Sequence, residues 1–89
     1  MPDEFQLYQN YPNPFNPTTK IKFTISELHF TSLKVFDILG REVIKLVYEE
    51  KPAGIYEVEF DASALASGIY FYTLKAGNFI SIKKMILLK

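Results

Sequence analysis

The run Ala66-Ser67-Gly68-Ile69-Tyr70-Phe71-Tyr72-Thr73-Leu74-Lys75-Ala76-Gly77 constrains this chain more than any other stretch. β-branched and aromatic residues fill it between two glycines, the pattern of a strand and not of a helix. Gly68 can open the strand from a backbone conformation other residues avoid, and Gly77 with Asn78 can close it in a tight turn. Tyr70, Tyr72, Leu74 and Ala76 share one face, apolar or aromatic throughout, so that face is expected in the core. Ile69 and Phe71 make the start of the opposite face apolar too. Such a strand is expected at the centre of a sheet, paired with Phe79 to Leu88 across the turn.

The rest of the chain repeats the strand pattern. Thr18 to Ser26 alternates, with Ile21, Phe23 and Ile25 inward and Lys20, Lys22 and Thr24 outward. Thr31 to Ile38 is the next expected strand, with Glu27 to Phe30 as the connection before it. Asp37 to Glu42 reads as a hairpin turn in which Gly40 supplies positive φ. Val43 to Tyr48 returns antiparallel, and Glu49 to Gly54 is polar and turn-forming. Ile55 to Phe60 places Tyr56, Val58 and Phe60 inward. Asp61 to Ser67 is expected to form one helical turn, capped by Asp61 or Ser63 and plugged by Leu65. With a short strand around Phe5 and Leu7, this gives about seven strands at regular spacing. No helical pattern of about ten residues appears, which excludes a parallel α/β sheet. The expected fold is all-β, an immunoglobulin-like antiparallel β-sandwich, with a small barrel as the alternative.

Composition limits the function. The 89 residues are 48% hydrophobic and 16% aromatic, enough for one domain with its own core. Ten basic and ten acidic side chains cancel, so no nucleic-acid surface is indicated. The absence of cysteine removes disulfides and thiolate metal sites. The apolar runs fall far short of the roughly 20 residues a membrane helix needs. Residues 1–4, Met1-Pro2-Asp3-Glu4, are expected to be a linker remnant ahead of a domain spanning 5–89.

No catalytic constellation emerges. His29 is the single histidine and has no partner at catalytic or metal-ligand spacing; it is expected to be a solvated loop residue. The carboxylates Asp3, Glu4, Asp37, Asp61, Glu49 and Glu50 do not alternate as in a calcium loop. Ser63 and Ser67 lack a nucleophile-elbow context. Glu57 and Glu59 share a face, as any exposed strand residues two apart do. No cofactor is expected.

Two stretches stand apart. Tyr11-Pro12-Asn13-Pro14-Phe15-Asn16-Pro17 excludes helix and sheet interior. It is either a rigid loop, with Tyr11 and Phe15 tucked in, or an aromatic knob on a proline frame. Lys83-Lys84-Met85-Ile86-Leu87-Leu88-Lys89 is either a lysine-guarded edge strand or a strand offered to another protein. Ile80, Ile82, Ile86 and Leu88 share one face, interrupted by Lys84. Phe79, Met85 and Leu87 lie on the other with Ser81, Lys83 and Lys89. The first face is expected in the core, with Ile86 and Leu88 holding the register and Lys83 and Lys89 pointing outward. At a sheet edge, the far side of this strand would be free to accept a partner's strand.

In order along the chain, Tyr11 to Thr19, Val35 to Val43, Ala53-Gly54-Ile55-Tyr56, Ser67 to Tyr72 and Lys83 to Lys89 resemble the motifs of the type A C-terminal sorting domains of the type IX (Por) secretion system. Each motif is weakly specific and the ordered set is strongly so. Phe36 stands where tyrosine is common. The resemblance implies a non-enzymatic module attached to an N-terminal cargo, with Lys83 to Lys89 as recognition motif. Independently of the resemblance, Gly40, Gly54, Gly68 and Gly77 are expected in turn or strand-entry positions that need positive φ or close backbone approach. The implied partners are an outer-membrane translocon and a sortase-like cysteine peptidase, which commonly removes the domain and joins the cargo to a surface lipopolysaccharide. The implied location is the periplasm in transit, then the surface or exterior of a Gram-negative bacterium. Two other readings remain. One is a structural module similar to the immunoglobulin-like domain of flagellar hook-capping proteins. The other is a carbohydrate-binding or adhesive sandwich appended to a secreted hydrolase, which would need a coplanar aromatic row drawn from Tyr8, Tyr11, Phe15 and Tyr48.

Overall fold

Strands that alternate apolar and polar side chains must lay one face of their sheet against a second layer. The computed structural model describes residues 4–89 and meets that demand with seven strands and, among the described residues, no helix. They are β1 (Gln6–Leu7), β2 (Thr18–Ile25), β3 (His29–Phe36), β4 (Glu42–Lys51), β5 (Gly54–Asp61), β6 (Gly68–Ala76) and β7 (Phe79–Leu87). Two antiparallel sheets, ordered β1-β2-β5 and β4-β3-β6-β7, pack as a sandwich of immunoglobulin-like type. Of the expected linker remnant at residues 1–4, Met1, Pro2 and Asp3 lie outside the described residues.

The core is the inner face of each strand. Ile21, Phe23 and Ile25 of β2 meet Leu33 and Val35 of β3, Tyr72 and Leu74 of β6, and Met85 and Leu87 of β7, all fully buried. Tyr70, Ala76 and Phe60 are buried as expected, whereas Tyr56 and Val58 of the edge strand β5 are only half-buried. The Tyr56 ring stacks on Phe23, with centroids 5.4 Å apart. β6 takes the central place expected of it, between β3 and β7.

Several boundaries differ from the sequence reading. β3 starts at His29, which pairs with Lys51, so His29 and Phe30 are strand and not connection. The His29 ring is half-buried, with its centroid 5.7 Å from that of Phe5, and it sits over Gly77. It is therefore a packed residue and not a solvated one. β4 extends through Glu49, Glu50 and Lys51, leaving only Pro52 and Ala53 to turn. Two register shifts against β3 accompany that length, and irregularities of this kind bend an edge strand and increase its twist. Thr24 was expected to face solvent, but its hydroxyl donates to the Glu4 carbonyl at 3.0 Å and the residue is buried. Ala62 is the buried plug of the 61–67 segment. The segment is a hydrogen-bonded turn and not the expected helical turn: Leu65 packs at its margin and donates its N–H to the Ala62 carbonyl, and the Asp61 carboxylate accepts the Ser63 N–H.

The β3–β4 hairpin shows how local chemistry fixes a turn. Asp37 Oδ1 accepts the N–H groups of Leu39 and Arg41 at 2.9 Å each, and Oδ2 accepts the Arg41 guanidinium at 2.8 Å. The Arg41 N–H above all holds the Asp37 carboxyl below its usual range. Gly40 closes the turn at φ +83°, with open space where a Cβ would stand. The cost of a side chain there is therefore backbone strain alone. Gly40→Val should destabilise by about 1–3 kcal/mol, and Gly40→Asn, which tolerates this region, by clearly less. Equal melting midpoints for the two variants would mean that backbone conformation does not set the cost.

Candidate functional site

β7 is one of the two edge strands of the four-stranded sheet, and its two faces are the reverse of the sequence expectation. Met85 and Leu87 are fully buried, whereas Ile80, Ile82 and Leu88 are 57%, 62% and 55% exposed and Ile86 is half-buried. The register follows from β6. Tyr70 pairs with Met85 and Tyr72 with Lys83, and residues directly opposite each other point to the same face of the sheet. The continuously apolar side of β6 therefore takes the odd positions of β7 into the core with it. The expected anchors Ile86 and Leu88 are corrected to Met85 and Leu87, which at full burial contribute roughly 1.5–3 kcal/mol each.

The lysines change places too. Lys83 lies on the inner face and is half-buried. Lys89 donates its ammonium to the Ser63 carbonyl at 2.6 Å and its backbone N–H to Ser67 Oγ at 3.0 Å. It is thus tied to the segment before β6. Lys84 is the lysine of this motif that stands on the outer face of the strand, exposed.

The proline-aromatic loop lies along the outer edge of β7. Phe15 is the hinge of this contact: its N–H donates to the Ile86 carbonyl at 2.9 Å, and its carbonyl accepts the Leu88 N–H at 3.0 Å. The Phe15 ring is buried, with its centroid 6.1 Å from that of Phe60. Asn13 Oδ1 accepts the Ile86 N–H at 3.0 Å, and Gln9 Nε2 donates to the Lys84 carbonyl at 2.7 Å. Polar groups on an edge strand call for such partners when water is excluded. The C-terminal half of the edge is therefore covered by the chain itself, so the expectation of a wholly free far side is corrected for that half.

The loop is held from below. Asn10, buried beside it, donates its side-chain amide to Thr19 Oγ1 at 3.0 Å and to the Pro12 carbonyl at 3.1 Å. Thr19 Oγ1 in turn donates to the Pro12 carbonyl at 2.8 Å. Across the core, the Tyr72 hydroxyl accepts the Asn10 backbone N–H and donates to the Tyr8 carbonyl, both at 2.7 Å. The Pro17 carbonyl accepts the Ala62 N–H at 2.9 Å, fastening the far end of the loop. Pro14 and Asn16 are exposed at its surface. Tyr11 is 81% exposed, attached through backbone pairing with Lys20, so the loop is rigid and also carries one aromatic knob.

Sequence reasoning missed Asn10, Thr19 and the Tyr72 hydroxyl as one network. Two signals pointed to it. Thr19 falls on the inward parity of β2, and a tyrosine on the most apolar face of a central strand needs a partner for its hydroxyl. Gly40, Gly68 and Gly77 have positive φ, and Gly54 is the first residue of β5, with the Tyr56 side chain 3.3 Å from where a Cβ would be.

The aromatic row needed for a carbohydrate platform is not assembled. Phe15 is inside, and Tyr48, on β4, meets Phe30 edge-on at 4.9 Å. Among the described residues, no group of three His, Cys, Asp or Glu side chains could hold a metal ion.

Compared with known families, residues 9–88 match the model described as the secretion system C-terminal sorting domain. The chain belongs to this family, the sorting domains of type IX secretion, a family of signals rather than of enzymes. Its membership implies an attached N-terminal cargo, interaction with the type IX system, and a secreted or surface-displayed cargo. No curated protein matches the chain.

The buried hydroxyl gives a direct test of the loop's anchorage. Tyr72→Phe keeps the ring and strands the Asn10 N–H and the Tyr8 carbonyl. Stability should fall by about 1–3 kcal/mol in denaturant titration. Burial pushes the Tyr72 phenol up from 10.0 to about 12, with the Asn10 N–H pulling partly the other way. The folded protein therefore holds this proton more tightly than the unfolded chain. The stabilisation is whole below pH 10.0 and is lost as pH rises through about 12. The Phe variant should lack that part of the alkaline decline; a profile parallel to wild type would mean that Tyr72 does not carry it.

Proposed function

We propose that this chain is the export address of a larger protein, recognised as a folded surface by the outer-membrane translocon of the type IX system. The observation that carries this reading is the match over residues 9–88 together with the way the first and last motifs interlock. The proline-aromatic loop pairs with β7, and β7 is held by Met85 and Leu87 in the core. A short unstructured tag would not need that arrangement. A sandwich whose surface survives transit through the periplasm does.

The later steps belong to the same proposal. After passage, a sortase-like cysteine peptidase attacks the peptide bond that joins cargo to domain. Its thiolate takes the cargo acyl group as a thioester, and the domain leaves with a new amino terminus. A nucleophilic group of a surface lipopolysaccharide, or water, then takes the acyl group and frees the thiol. The domain supplies no reacting group to these steps. Its part is to bring the junction to the machinery.

The reading is tested by fusing the chain to the carboxyl end of a reporter directed to the periplasm of a type IX-secreting bacterium. The reporter should appear at the surface or in the medium. It should stay periplasmic without the chain, and in a strain lacking the translocon. Lys84→Glu reverses an exposed charge on the motif and should leave the melting midpoint nearly unchanged while lowering export. Lys83→Glu and Lys89→Glu are poorer probes, because Lys83 is half-buried and Lys89 is bonded to Ser63. Unaltered export of Lys84→Glu would remove that side chain from the signal. Unaltered export without the chain would overturn the reading.

A further inference from the structure

The edge of β7 is hydrogen-bonded to the loop over one half; over the other, β1 runs close by, with Phe5 stacked on Phe79 at 5.7 Å, but among the described residues makes no backbone hydrogen bond to it. Both backbone groups of Ile86 bond outward to the loop, so the even residues of β7 aim their N–H and C=O away from β6. Gln9 uses the Lys84 carbonyl, and the loop uses both groups of Ile86 and the Leu88 N–H. Among the described residues, the Lys84 N–H and both backbone groups of Ile80 and Ile82 find no partner on that side. The side chains of Ile80 and Ile82 are 57% and 62% exposed above this open segment. Lys75 lies opposite Ile80 on β6, and Lys83 and Lys84 close the segment's far end. The four ion pairs among the described residues use none of these lysines.

We infer that Ile80 to Lys84 is a docking edge for one extended acidic segment of the export machinery, which adds to the sheet as a fifth strand beside β7. This rests on the sorting reading and narrows it to the part of the motif's strand that the loop leaves open. The backbone groups without partners among the described residues supply the ladder, Ile80 and Ile82 the apolar contact, and Lys75 and Lys84, exposed on the outer face and outside the ion pairs among the described residues, the preference for carboxylates. The covered half fixes the register, since an incoming strand must stop where Gln9 already bonds Lys84. A rigid stop of this kind lets an edge strand accept one short segment while the rest is closed to chance pairing.

The test uses the reporter fusion and exposed position 82. Ile82→Pro removes the outward N–H, and proline is tolerated on edge strands where that group faces solvent. Ile82→Thr keeps the N–H and trims the apolar side chain. Thermal melting should show both variants folded. Export should drop by about tenfold or more with proline and much less with threonine, as a lost ladder position requires. Folded Ile82→Pro exported like wild type overturns the inference and leaves the sorting reading intact; failure of the wild-type fusion to be exported overturns both. Should Ile82→Pro fail to fold, Ile82→Glu and Ile82→Lys decide. An acidic partner predicts export lost with glutamate and kept with lysine, and equal export from the two overturns the inference. A wild-type domain that is dimeric by light scattering, and monomeric as Ile82→Glu, would assign the edge to a second copy and overturn it as well.

Discussion

The Tyr72 hydroxyl is the contact that ties the start of the proline-aromatic loop to the central strand of the opposite sheet. It comes from the central strand of one sheet and bonds the chain leaving the edge strand of the other, at Tyr8 and Asn10. Packing alone leaves two sheets free to slide, because the hydrophobic effect has no direction. A buried hydrogen bond with two partners does have one, and an unmet partner there would cost the desolvation of a polar group. Asn10 passes the constraint on to Thr19 and the Pro12 carbonyl, and so to the loop.

The loop then does for β7 what a neighbouring strand would otherwise do. Phe15 contributes both backbone groups to the edge and buries its ring, so one residue supplies ladder and anchor together. Prolines suit this task because they prepay the loss of backbone freedom in the unfolded chain. The consequence is an edge divided by design into a sealed length and an open one. A fully open edge invites aggregation and a fully covered one offers no backbone to a partner.

Charge is distributed on the same plan. The exposed carboxylates Glu49, Glu50, Glu57 and Glu59 lie on β4 and β5, the edges away from β7; Glu49 pairs with Lys51 on the same strand and Glu57 with Lys20 on β2. Lys75, Lys83 and Lys84 lie toward β7 without ion pairs among the described residues. Exposed pairs of the first kind add little stability. Unpaired lysines at a protein's edge act on association instead, by attracting partners of opposite charge and repelling like ones.

The sequence by itself determined the fold class, the seven strands, the inward face of β2 and β6, the Asp37–Gly40 turn and the family, because each rests on local periodicity, turn chemistry or the order of short motifs. It could not determine which face of β7 enters the core, since both faces of that strand are apolar enough and the choice is made by pairing with β6. Nor could it assign Lys83 and Lys89, whose surroundings come from chain segments distant in sequence. The same limit hid the seal on the terminal strand. Asn13 and Phe15 meet Ile86 across 73 and 71 residues, and only the closing of the two sheets brings a proline loop at one end of the chain beside the strand at the other.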